Sequence, residues 1–248
     1  MSNTDQYAAL KDKIEAIKDE SIVAITMPVN IYLQEAEDMA RCAKIDTAEL
    51  ATINVSEEQV DDLQVRIGAC RQVQSLWVDD QHKTNEAEDT WADIQEQANE
   101  LKSELIHTFR YAFRKDESAL SAIADIAEGR TNSDTIQDLN DLSVVGKGNT
   151  EALTAINFDI SKLDTAADIA VKGADALAVA NGSRQRGSDT KVLRDKAYTY
   201  LKEAVDDIRA AGKFLFRNDP KKLKGYTSKY WKKKNSTARK VEDVETLD

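Results

Sequence analysis

"NEAEDTWADIQEQANELKSELIHTFRYAFRK", residues 85–115, decides the fold class. Ala87, Trp91, Ile94, Ala98, Leu101, Leu105 and Ala112 recur at helical steps, and Phe109 and Phe113 widen the stripe. That period puts one apolar face on a long α-helix. At 1.5 Å per residue the helix would be about 45 Å long. Residues 189–218 repeat the pattern through Leu193, Ala197, Leu201, Ala204, Ile208, Ala211 and Leu215. Two such stripes can share one core.

Shorter segments fall on either side. Ser56 can cap a helix answered near Glu58, with Val55 and Val60 as a hydrophobic staple. Val60, Leu63, Ile67, Cys70, Val73 and Trp77 mark its buried side to about His82. Pro28 suits a first turn, followed by a helix to about residue 43. Residues 5–19 read as another helix. Glycines punctuate the middle, with stops expected at Gly129, Gly146 and Gly182. "SIVAITM" (21–27) is the one strand-like run.

Composition agrees with helix. The 248 residues include two prolines and nine glycines, and 32% are charged. The expected fold is all-α: an elongated antiparallel helical bundle over 5–219, with two long helices of about 30 residues and several shorter ones. Residues 220–248 form a basic aromatic tail with an acidic end. "YAFRKD" (111–116) and "FLFRND" (214–219) close the two long helices with the same chemistry. That echo fits either a duplicated half or two helix ends that favour Arg for the dipole.

No run reaches the roughly 18 to 20 apolar residues of a membrane helix, and the first residues lack a signal-peptide pattern. The expected location is cytoplasmic, with Cys42 and Cys70 reduced and buried. The net charge of −11 is uneven. Residues 213–240 carry eleven Lys or Arg and one Asp, residues 241–248 carry four acids, and the body before them is left at −17.

Motifs for chemistry are sparse. Glu104 and His107 share the Glu-x-x-His step of di-iron bundles, but they flank the apolar stripe and only two histidines exist. "GSRQRGSD" (182–189) and "VVGKGNT" (144–150) resemble phosphate loops but follow helices and lack parts of the motif. Asp138, Asn140 and Asp141 lack the spacing of a calcium loop. No catalytic residue, cofactor or resident metal is expected.

The segment that stands out is "KKLKGYTSKYWKKKN", 221–235. Drawn as a helix, Leu223, Tyr226, Tyr230 and Trp231 fall in one sector, opposite most of Lys221, Lys222, Lys224, Lys229, Lys232, Lys233 and Lys234. These eleven residues are the candidate partner-binding set. An acidic surface, its own body's or a second copy's, is the first expected partner. Single-stranded nucleic acid is the second, and an integral membrane role is not expected.

"IQDLNDLSVVGKGN" (136–149), "RDKAYTYLKEAVDDIRAAGKFLFRND" (194–219) and "KGYTSKYWKKKN" (224–235) resemble a family of uncharacterised bacterial all-helical proteins. The resemblance runs from about Pro28 to Asn235. It implies a bacterial cytoplasmic protein and transfers no activity and no site residue. The functional expectation is a non-enzymatic structural or interaction protein that self-associates through its basic aromatic segment. The alternatives are a nucleic-acid-binding module and a metal-dependent helical-bundle enzyme.

Overall fold

The computed structural model describes residues 1–245, with side chains to Thr237. The acidic end at 241–248 therefore lies outside the described side chains. The fold is all-α, and no strand occurs among the described residues. In chain order the helices are α1 (Asn3–Glu15), α2 (Val29–Ile45), α3 (Thr47–Ala51), α4 (Glu57–Ala112), α5 (Glu117–Ala127), α6 (Asn132–Gly148), α7 (Thr150–Thr154), α8 (Ser161–Leu215), α9 (Pro220–Leu223) and α10 (Lys229–Glu245). A 3-10 turn at Lys224–Tyr226 joins the last two. No described helix is long and apolar enough to cross a membrane.

The two long helices are nearly twice the expected length. The segment from Ser56 and the segment 85–115 are one helix, α4, of 56 residues. The segment 189–218 is likewise continuous with the residues before Gly182, in one helix, α8, of 55 residues. The expected stop at Gly182 is not made. A terminating glycine adopts positive φ, and no glycine here does. An interior glycine costs about 1 kcal/mol, which a long packed helix absorbs. Gly146 does not stop α6 either, since the helix runs on to Gly148; a Cβ at Gly146 would stand 2.8 Å from Phe109 and 2.5 Å from Leu163. Ser56 does cap α4, but Gln59 answers it instead of Glu58, accepting from the Ser56 amide at 2.8 Å. The run 21–27 is extended without pairing as a strand; its Val23 amide donates to Thr199 Oγ1 at 3.1 Å.

The chain forms two compact units. Unit 1 holds residues 1–79 and those from 188 onward; unit 2 holds residues 80–187. In unit 1, α2 and α3 pack with the first part of α4 and the last part of α8. Arg66 on α4 donates to the Tyr200 carbonyl at 2.8 Å, and Arg194 lies over Trp77 at 4.1 Å, so the two helix segments run antiparallel. The core holds Leu33, Met39, Leu63, Ile67, Val73, Tyr198, Leu201 and Val205, and α1 adds Leu10 and Ile14. Each fully buried side chain of this size contributes about 1.5–3 kcal/mol.

In unit 2, α5, α6 and α7 pack with the last part of α4 and the first part of α8. Arg184 pairs with Glu88 at 2.7 Å and Lys162 with Glu104, again antiparallel. Its core holds Leu105, Phe109, Ile123, Leu139, Leu142, Leu153 and Leu163.

The echo at the helix ends extends through the chain as an internal repeat. Helix α6 starts at 132 against 29 for α2, α7 at 150 against 47 for α3, and the caps stand at 219 against 116, each 103 apart. Helices α2 and α6 both have 17 residues. Gln34 donates to Asp38 and Gln137 to Asp141. The only described non-glycine residues with positive φ are Asn54 and Asn157, at 63° and 57°. Both end a short helix in the left-handed manner, with the Val55 and Phe158 amides reaching back to the Leu50 and Leu153 carbonyls. Asp116 and Asp219 each accept two amides of the following helix. Each unit therefore combines the front of one repeat with the back of the other.

Candidate functional site

The segment after α8 folds back onto α2 and α3 of its own chain. Asp219 caps α9, and Pro220, which has no amide to satisfy, opens it. The short helix brings Lys222 over the end of α2. Its Nζ lies 2.6 Å from Asp46 Oδ1 and 2.7 Å from Glu49 Oε1. Asp46 is only 4% exposed, and a buried carboxylate is tolerable only when paired. The second partner is Tyr226, whose hydroxyl donates to Asp46 Oδ2 at 3.0 Å.

Tyr226 itself is fully buried and stacks on Phe216 at 5.4 Å. Two glycines make room. A Cβ at Gly212 would stand 2.0 Å from the Tyr226 ring, and one at Gly225 would stand 2.7 Å from Cys42 Sγ. Further on, Lys229 pairs with Asp38 at 3.0 Å, and the Tyr230 amide donates to Glu35 Oε1 at 2.8 Å. Trp231 packs edge-on to Tyr230, and Lys234 lies over the Trp231 ring at 5.1 Å.

These contacts set the protonation states. Hydrogen bonds to Asp46 and then Glu49 hold Lys222 above the ordinary lysine range. Hydrogen bonding to Asp38 raises Lys229 likewise. Lys229 and then Gln34 hold Asp38 below its ordinary value, and Lys222 does the same for Glu49. Burial, then the bond to Asp46, pushes the Tyr226 hydroxyl up.

Of the eleven expected residues, Lys222, Leu223, Tyr226, Lys229, Tyr230 and Trp231 face their own chain. Lys221, Lys224, Lys232, Lys233 and Lys234 are exposed, and among the described residues none has an ion-pair partner. The segment is two helices joined by a 3-10 turn instead of the single helix drawn from its sequence. Sequence reasoning missed the receiving side. Glu35, Asp38, Asp46 and Glu49, with Cys42 between them, stand at steps of three and four, an acidic stripe along α2 into α3. That spacing was the available signal.

The remaining candidates are dispersed. Glu104 is paired with Lys162, while His107 is exposed and lines a cavity in unit 2. No group of three or more His, Cys, Asp or Glu among the described residues could hold a metal ion. The run 182–189 lies within α8, and the run 144–150 passes from the end of α6 into α7 with only Asn149 between them, so neither is an open loop of the phosphate-cradling kind. Cys42 is half-buried and Cys70 buried, both as free thiols.

No family model matches the chain, and neither a curated protein nor a solved structure matches it. The functional reading therefore rests on geometry and charge.

Proposed function

We propose that the protein is a non-enzymatic interaction protein that self-associates through the lysines of its C-terminal segment. The observation that carries this reading is a division of labour within the segment. Its aromatics pack on the core of unit 1 and two of its lysines pair with acids along α2 and α3, while Lys232, Lys233 and Lys234 stand outward on α10. Anchoring the start of the segment lowers the ordering cost of using its end. The partner surface must be acidic, and the body of a second copy, at −17, is one. The nucleic-acid alternative is weaker, because stacking on bases needs free aromatic faces, while Tyr226 is buried and Tyr230 and Trp231 are half-buried against the core of unit 1.

Light scattering at rising salt tests the proposal. The intact protein should exceed monomer mass at low salt, and Lys232→Glu, Lys233→Glu and Lys234→Glu combined should return it to monomer. If the intact protein is a monomer at low salt, the proposal fails. A gel-shift titration with single-stranded DNA supplies the second arm, since steeply salt-dependent binding would favour the alternative.

A further inference from the structure

Unit 2 contains a cavity of about 630 Å³, within the range of small-molecule sites. Its wall on α4 carries Lys102, Ile106, His107 and Arg110, and its wall around the start of α6 carries Ala127, Arg130 and Thr135. No carboxylate lines it, in a chain with 45 acidic and 34 basic residues. Lys102 is fixed, since its ammonium meets the nearly buried Asp138 and the Gly129 carbonyl. The guanidinium groups of Arg110 and Arg130 have no ion-pair or side-chain hydrogen-bond partner among the described residues. The cavity thus holds two uncompensated permanent charges, with an imidazole beside them.

The repeat shows that this is a departure from the shared plan. At the positions of Thr135 and Ala127, unit 1 has Tyr32, which is buried, and Tyr230, which packs on the core. At the positions of Asn99 and Ser103 on the same wall, unit 1 has Lys202 and Asp206, which pair with each other. Unit 1 fills with two tyrosines the space that unit 2 leaves open, while basic residues are common to both units, since Lys213 and Lys233 stand at the positions of Arg110 and Arg130.

We propose that this cavity binds a small phosphate ester. A phosphate monoester carries about −1.5 to −2 charge near pH 7, matching the two arginines. The guanidinium fork fits phosphate oxygens two at a time. The cavity is too large for phosphate alone, and Ile106 and Ala127 offer an apolar wall for the organic part. This site is independent of the C-terminal segment.

Isothermal titration of the full-length protein at fixed ionic strength tests the assignment, with adenosine monophosphate, glucose 6-phosphate, inorganic phosphate and citrate as probes. At least one ester should bind saturably and at least tenfold more tightly than inorganic phosphate or citrate. Arg110→Ala with Arg130→Ala should weaken that binding at least tenfold while leaving the helical circular dichroism unchanged, since both side chains are exposed. The proposal is overturned if neither ester binds saturably, if inorganic phosphate or citrate binds as tightly, or if the double variant binds like the parent.

Discussion

The two units are built from equivalent helices, met in a different order along the chain, and fill them differently. In unit 2 the volume under the cap segment comes from Phe109 on α4 and Ile123 on α5, and Gly146 gives way to the phenyl ring. The repeat places Gly212, Tyr226 and Ala43 at those positions in unit 1. The large ring has moved from the long helix to the cap, and the glycine has moved to the long helix. Moving the ring also brings a hydroxyl, which Asp46 accepts, and with it the charged contacts of the C-terminal segment. Moving the ring thus gives one unit a polar clasp and leaves the other an apolar cap.

The contrast is greatest in alkali. Burial pushes Cys70 up to about 12 and Tyr198 up to about 12, and Tyr32 and Tyr226 are also raised. All four lie in unit 1, whereas the buried core of unit 2 has no tyrosine or cysteine. A raised folded value means the fold holds protons that the unfolded chain releases. The stability is therefore intact below the ordinary thiol and phenol values, near 9 and 10, and is lost as pH climbs toward about 12. Amide hydrogen exchange should show unit 1 opening over that range while unit 2 stays protected. Simultaneous opening would contradict the contrast.

Truncation is the next largest change. Tyr226→Ala should cost about 3–5 kcal/mol and Ile123→Ala about 2–5 kcal/mol in urea unfolding. Transplanting the packing of unit 2 is more informative. Gly212→Phe alone should cost about 1–3 kcal/mol by overpacking, or more. Combined with Tyr226→Ile it should cost less than the two single changes added together, with a coupling of about 0.5–3 kcal/mol. Strict additivity would mean that the two positions do not exchange volume.

The capping aspartates should behave alike. Asp116→Ala and Asp219→Ala should each cost about 1 kcal/mol. A gap well above that between them would show that the two helix ends are not equivalent.

The smallest effect is local and acidic. Asp38 and Glu49 have lowered values, so their pairs with Lys229 and Lys222 persist above the ordinary carboxylate range and are lost as pH falls below roughly 4. Trp231 fluorescence should then report release of the segment before unit 2 loses helicity. Release only together with global unfolding would argue against a separable clasp.

Much of this was legible in the sequence, because helical stripes follow directly from which residues are buried. Leu101, Leu105, Leu201 and Ile208 were found that way. The full length of α4 and α8 was not, because the stretch 79–90 has almost no apolar side chains and Gly182 and Gly187 imitate stops. Gly187 instead lets α8 approach α4, as a Cβ there would stand 3.1 Å from Gln81 and 3.2 Å from Thr84. The sector of Leu223, Tyr226, Tyr230 and Trp231 correctly indicated residues that need a surface. Which surface depends on side chains 180 positions away, such as Asp46 for Tyr226, and no local pattern carries that.

The exchanged composition of the units also sets an order in time. During synthesis the front of unit 1 leaves the ribosome first, yet its core lacks Leu201, Val205 and Tyr226 until nearly the whole chain is made. Unit 2 is continuous in sequence and is complete once residue 187 has emerged. The earliest-made part of the protein is therefore the last to close, and its acidic α2 waits for the lysines that arrive at the end. Unit 1, whose contacts span the longest stretches of chain, should be the slow step of folding.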